Sequence, residues 1–216
     1  HRMKLSKIKP DGHVFVALLK ACADSATRVA LLHGKLIHFH AIERGLGRAL
    51  FVNNALINMY SRCSMLPKAQ KTLKELPTCN VVSWNVLITG YVQQGKDHEA
   101  LSCFRNMKTE GIAPDAVTFT CILKACSSLG AIEKGKQVHD EITQRGLLEK
   151  NLVLGNTLVD MYAKCGMLST AQTLLEELPV RDVVSWSTLI AGYAQEGQCL
   201  EAIDCFRRMQ REGISP

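Results

Sequence analysis

No run in this 216-residue chain approaches the roughly 18 apolar residues needed to span a bilayer, so no membrane is expected among its partners. No Gly/Ser-rich or Pro-rich linker divides it, and it reads as one elongated domain. Although there are nine cysteines, an odd number, no two form a C-x-x-C pair, which argues against a zinc site and against a disulfide framework. His38 and His40 are two apart, on different faces of a helix, and no carboxylate or thiol completes a site, so no metal is assigned. No nucleophile with a base, paired acid site or phosphate loop can be assembled. The chain is therefore not expected to be an enzyme, and no cofactor is expected. The formal net charge of +6 is mildly basic, which suits a nucleic-acid partner without requiring one.

The chain does repeat itself. Asn80-Val81-Val82-Ser83-Trp84 returns about 102 residues later as Asp182-Val183-Val184-Ser185-Trp186, and Ile57-Asn58-Met59-Tyr60 as Val159-Asp160-Met161-Tyr162. Leu18-Leu19-Lys20-Ala21-Cys22 returns as Ile122-Leu123-Lys124-Ala125-Cys126. Self-similarity at a near-constant period marks a repeat array. Within each long period there are three shorter units: 81–115, 116–151 and 152–182, of 35, 36 and 31 residues. The cycle restarts over 183–216, and reading backwards gives units at 50–80 and 12–49. The 12–49 unit carries extra residues around Asp24 to Ala30, expected between its two helices. Residues 1–11 match the tail of a preceding unit, so the chain is expected to be a piece of a longer array. The cysteines recur too: Cys22 with Cys126, Cys63 with Cys165, Cys103 with Cys205. They read as buried free thiols, small packing residues in a reducing compartment.

Each unit reads as a pair of helices. Trp84, Leu87, Ile88 and Tyr91 fall at i, i+3, i+4 and i+7, one face of a helix that Gly95 ends. Asp97 is the expected N-cap of a second helix, on which Ala100, Leu101, Phe104 and Met107 face back toward the first. Gly111 and Pro114 stop it. In the last unit Gly197, Gly213 and Pro216 repeat the punctuation, and Ala202, Ile203, Phe206 and Met209 the stripe. Two short helices cannot bury such stripes alone, so neighbouring pairs must stack. The expected fold is all-α, a right-handed α-solenoid of stacked helix-turn-helix repeats with a concave groove.

The alternating lengths, with Val-Val-Ser-Trp-Asn, Leu-Lys-Ala-Cys and Met-Tyr-Ala-Lys-Cys-Gly in turn, resemble the P, L and S repeats of plant pentatricopeptide repeat (PPR) proteins of the PLS class. The resemblance covers essentially the whole chain. It implies binding of single-stranded RNA in a mitochondrion or chloroplast, as the target-recognition part of a C-to-U editing factor, with editing cofactor proteins as further partners. In that class a C-terminal extension or deaminase-like domain does or recruits the chemistry. His139-Asp140-Glu141 spells half of a zinc deaminase signature, but no P-C-x-x-C completes it.

By the same resemblance each repeat reads one base, through the fifth residue of the unit and its last. Asn85 with Asp115, and Asn156 with Asp182, favour uracil, because an ionised Asp only accepts and suits the N3–H of that base. Asn54 with Asn80 favours cytosine, Thr120 with Asn151 matches adenine, and Ser187 leans toward a purine. Val16 with Ala49 offers no hydrogen-bonding side chain. The implied core is 5′-C-U-A-U-purine-3′. Phe51, Val82, Val117, Val153 and Val184, second in their units, would pack on base faces, and Arg62 and Lys164 would approach phosphates. Each has a plainer alternative. The asparagines could be solvated or core-edge amides, the valines could be buried between repeats, and Arg62 and Lys164 could be solvated helix ends. Trp84 and Trp186 are expected in the core, and Lys134 and Lys136 on a solvated face. A protein-interaction solenoid of the tetratricopeptide type is the alternative function, partly imitated by Trp84 and Leu87, but it keeps a 34-residue unit without alternation.

Overall fold

The computed structural model describes residues 11–215, the side chain of residue 150 excepted. Segment 1–10, most of the tail assigned to a preceding repeat, lies outside the described residues, as does residue 216. Among the described residues there is no strand. The helices are α1 (Gly12–Ser25), α2 (Arg28–Glu43), α3 (Leu50–Arg62), α4 (Leu66–Lys74), α5 (Val81–Gln93), α6 (Asp97–Thr109), α7 (Ala116–Leu129), α8 (Ile132–Gln144), α9 (Leu152–Lys164), α10 (Leu168–Glu177), α11 (Val183–Gln195) and α12 (Cys199–Arg211). Short 3-10 turns lie at Leu46–Arg48 and Leu148–Lys150.

Two compact units form, His1–Ala113 and Pro114–Pro216. In the first, α1, α3 and α5 pack in sequence as one layer, and α2, α4 and α6 each fold back on the helix before. Both α2 and α4 also touch the first helix of the next hairpin. The second unit repeats the plan with α7, α9 and α11 as the layer and α8, α10 and α12 behind it. The class is all-α, with hairpins stacked as in an α-solenoid. Each core is the summed apolar stripes: Leu19, Leu56, Ile57, Leu87 and Ile88 are fully buried in the first unit, and Phe119, Leu123, Leu158, Val159 and Leu189 in the second.

Local chemistry sets the helix ends. Asp11, Asn80, Asp115, Asn151 and Asp182 accept backbone N–H groups in the first turns of α1, α5, α7, α9 and α11. These small polar caps satisfy donors that the helix itself cannot. At the other ends the chain turns through the left-handed region, at Gly130 (φ 62°) after α7 and Gly166 (φ 75°) after α9. The corresponding turns in the first unit use Ala26 (φ 48°) and Ser64 (φ 60°), which pay a steric cost that glycine avoids.

Trp84 and Trp186 are core residues, 5% and 1% exposed. Trp186 Nε1 donates to Glu212 Oε2 at 3.3 Å, whereas Trp84 Nε1 is buried without an acceptor.

Four expectations are corrected. The extra residues of the 12–49 unit do not lengthen the connection between its helices, which is only Ala26 and Thr27; α2 absorbs them and has 16 residues against 13 in α8. Asp97 is not the N-cap of α6 but its first residue. Lys96 stands at the cap without a side-chain bond; Asp97 turns inward, with Oδ1 buried and unpartnered, and burial raises its carboxyl pKa. Ile203 and Phe206 are exposed, because α12 packs on α11 through Ala202, Cys205 and Met209, partway round the helix. Of the nine cysteines, expected to be buried, only Cys22, Cys103, Cys126 and Cys205 are. Cys63 and Cys165 stand half-buried at the C-caps of α3 and α9, and Cys199 is exposed at the start of α12.

Candidate functional site

The fifth and last residues of a unit are far apart in sequence, yet the 152–182 unit brings them together. Asn156, on the second turn of α9, donates from Nδ2 to Asp182 Oδ1 at 3.1 Å. Asp182 also caps α11: its Oδ1 accepts from Ser185 N at 2.9 Å, and its own N–H is bonded to Ser185 Oγ at 2.9 Å, a capping box. Burial opposes ionisation of this carboxyl. The bonds from Ser185 and Asn156 outweigh it, and the pKa lies below the ordinary carboxylate value. At neutral pH Asp182 is an acceptor held in place by the helix it starts.

In the 50–80 unit Asn80 Oδ1 caps α5, accepting from Ser83 N at 3.0 Å and Ser83 Oγ at 3.1 Å. Asn54 Oδ1 is buried without a partner, as is Asn156 Oδ1 at the matching position. Asn85 is buried on α5. Asp115 caps α7 through Thr118 N at 2.9 Å in a second capping box. Asn151 caps α9 through Leu154 N at 3.3 Å. Thr120 donates its hydroxyl proton to Ala116 O at 2.8 Å, which leaves the oxygen as an acceptor. Ser187 is exposed on α11. Ala49, before α3, makes no side-chain capping bond.

Second positions share one property: Phe51, Val82, Val117, Val153 and Val184 are 47%, 50%, 54%, 63% and 54% exposed. Burial between repeats, the plainer reading, does not describe them. Phe51 stacks on His13, with ring centroids 5.6 Å apart, while the four valines leave β-branched apolar surface in contact with water at the first turns of their helices, where burial would be favoured.

The cations are less free than the sequence suggests. Arg62 Nε donates to Ala23 O at 2.9 Å, satisfying a carbonyl in the last turn of α1. Lys164 Nζ pairs with Asp160 Oδ1 at 2.9 Å, one helical turn earlier. Asp160 was missed as a member of this site, although its i, i+4 spacing from Lys164 is legible. A groove of about 400 Å³ in the second unit joins Lys164 to Val184 and Ser187, with Asp160, Thr188 and Gln195 also lining it. Lys134 and Lys136 contact Gln137 and Glu133 on the surface of α8, as a solvated face would. His38 Nδ1 and His139 Nδ1 lie 2.9 Å from the hydroxyls of Tyr60 and Tyr162.

The PPR repeat family matches residues 79–128, and the PPR repeat matches residues 54–81, 117–147, 156–183 and 184–214. A pentatricopeptide repeat-containing protein of Arabidopsis thaliana is 41% identical over 207 residues, covering 95% of this chain and 24% of the relative. A mitochondrial relative from the same plant is 40% identical over 98% of this chain and 20% of its own length, and the chloroplastic protein CRR2 is 37% identical over 100% and 33%. The chain thus spans about a fifth to a third of the length of these relatives. Among solved structures, the maize pentatricopeptide repeat protein PPR10 superposes with a TM-score of 0.80 at 19% identity, over 100% of this chain and 31% of its own. PPR10 in complex with an 18-nt psaJ RNA element superposes with a TM-score of 0.72 at 20% identity, over 100% and 32%. No helix among the described residues is long and apolar enough to cross a membrane. On the repeat matches and the shared hairpin fold, this chain belongs to the pentatricopeptide repeat family.

Proposed function

We propose that the chain binds single-stranded RNA sequence-specifically, one base per repeat, as the target-recognition part of an organellar C-to-U editing factor. The carrying observation is the Asn156–Asp182 pair, an amide and a low-pKa carboxylate at the two ends of the 152–182 unit, beside the exposed Val153 and Val184. Such a pair presents a fixed acceptor for the N3–H of uracil, and the exposed second residues supply apolar surface for base faces. The RNA-bound relative supports an RNA ligand for this fold. Under this reading the units are those counted in the sequence: 12–49, 50–80, 81–115, 116–151, 152–182 and 183–216. Their readers are Asn54 with Asn80, Asn85 with Asp115, Thr120 with Asn151, Asn156 with Asp182, and Ser187.

The array selects the RNA and leaves it chemically unchanged. Mitochondrion or chloroplast is the proposed compartment, supported by relatives assigned to each. Lys164 and Arg62 remain the proposed phosphate contacts, with Lys164 exchanging Asp160 for a phosphate when RNA enters the groove.

Affinity for an RNA containing C-U-A-U-A, against one with both uracils replaced by guanine, tests the reading. The first should bind more tightly, and Asp115→Asn should shift preference at its slot from uracil toward cytosine. If each contact discriminates by about 1–3 kcal/mol, two mismatches separate the RNAs by about thirtyfold or more. Equal affinity for both RNAs would refute the proposal.

A further inference from the structure

Helix α2 is apolar on two opposite faces. Its inner face buries Ala30, Gly34 and Ala41; a Cβ on Gly34 would lie 2.6 Å from Met59 Sδ, so the helix sits close against α3. On the outer face Val29, Leu32, Leu36 and Phe39 follow at steps of three, four and three residues, and Ile42 borders them. They are 60%, 62%, 54%, 56% and 57% exposed. A contiguous exposed apolar patch marks an interaction surface.

The repeat itself does not demand this face. Helix α8 is the copy of α2 in the same register: Gly135 meets Met161 as Gly34 meets Met59, and His139 bonds Tyr162 as His38 bonds Tyr60. In that register Leu32, Leu36, Phe39 and Ile42 correspond to Glu133, Gln137, Asp140 and Thr143, which are exposed as well. One position in the fold is thus polar in one copy and apolar in the other. The apolar residues of α2 serve something other than building the hairpin.

Their spacing and borders describe the occupant. Steps of three and four residues are those of a coiled-coil seam, which is filled by another helix. Arg28 and Lys35 line one edge of the seam, and His33 and His40 the other. Glu43, the acid on this helix, is held by His40 at 2.8 Å. Two antiparallel copies of this face would oppose their Arg28 and Lys35 edges, which disfavours that self-pairing, while an acidic edge would complement these two cations. We propose that the outer face of α2 docks an amphipathic helix of a partner protein, with leucine-like residues at its seam and carboxylates along its borders.

Fluorescence anisotropy tests this with the 216-residue chain and a labelled three-heptad peptide carrying Leu at the seam and Glu at the borders. A second peptide has Lys at the borders. The acidic peptide should bind one site, at least tenfold more tightly than the basic one. Leu36→Gln with Phe39→Asp, the residues of the polar copy, should weaken it at least tenfold at unchanged helicity and unchanged RNA affinity. Glu133→Leu, Gln137→Leu and Asp140→Phe together should create a second site on α8. The proposal is overturned if neither peptide binds, if both bind alike, or if the α2 double variant binds as well as the parent. It is also overturned if sedimentation shows a dimer that the double variant abolishes, because a second copy then covers the face.

Discussion

Asp182 caps α11 and, on the proposed reading, addresses a base, and substitution can separate the two. Asp182→Ala removes the bond to Ser185 N, the capping box and the acceptor of Asn156. Losing an N-cap costs about 1 kcal/mol, and leaving the half-buried amide of Asn156 unpaired costs about another 1 kcal/mol. A loss of about 2 kcal/mol lowers the melting temperature by roughly 8–16 °C for a unit of about 100 residues. Asp182→Asn keeps an acceptor for Ser185 N and forfeits mainly the negative charge at the start of α11, about 0.5 kcal/mol. Asn should therefore melt far closer to the parent than Ala, yet shift base preference at its slot from uracil toward cytosine. Calorimetry and RNA titration on the same three proteins check both halves. Because the folded-state pKa of Asp182 is lowered, its stabilisation is present above the unfolded carboxylate value and is lost as pH falls through the folded one. The parent and the Ala variant should accordingly converge in acid. If Ala and Asn melt together at neutral pH, Asp182 is not the cap described; if Asn leaves uracil preferred, it is not a reader.

Other perturbations follow from the same geometry. Ala26→Gly and Ser64→Gly relieve left-handed residues where the other copies carry Gly130 and Gly166, and each should raise stability by about 0.5–1 kcal/mol in denaturant titration. Gly90→Ala places a Cβ 2.6 Å from Ser61 Cβ, so α5 and α3 must part, and a cost of about 1–3 kcal/mol is expected. Gly192→Ala meets the flexible tip of Leu168 at 2.8 Å and Ala163 Cβ only at 3.2 Å, and should cost less by the same titration. Burial lowers the pKa of His38 and His139, each bonded to a tyrosine hydroxyl. Below about pH 6.5 the unfolded chain gains protons that the folded chain refuses, so stability should fall as pH drops. Thermal scans from pH 7.5 to 5 should show a flatter slope for His38→Gln with His139→Gln.

Much of the fold is legible because its rules are local. The spacing of Trp84, Leu87, Ile88 and Tyr91 puts them on one face, and all four are buried. Gly95 and Gly111 stop α5 and α6 because the backbone turns left-handed there. Asp97 was misplaced because cap and first turn differ by one residue, and whether the carboxylate meets an amide or turns inward is decided by packing. The residues added to 12–49 lengthened a helix because nothing in them breaks one. At the candidate site, an apolar second position reads equally as buried or as ligand-facing, and only three-dimensional exposure separates the two. The bond from Arg62 to Ala23 O joins residues 39 apart, which no local spacing records. The Asn156–Asp182 contact spans 26 residues, and only the resemblance to pentatricopeptide repeat units made that pairing legible.

The residue that closes one repeat is also the residue that opens the next helix, and this narrows the alphabet available to the array. Helix capping admits Asp, Asn, Ser, Thr and Gly and penalises nearly everything else. On the proposed reading, most large or apolar residues are barred from a reading position before any RNA is considered, because the next helix would fray. Ala49 shows the exception: α3 begins there without a side-chain cap, and the same position has nothing with which to address a base. Re-spelling the array by exchanging terminal residues would therefore redraw the melting profile of the protein one helix further along.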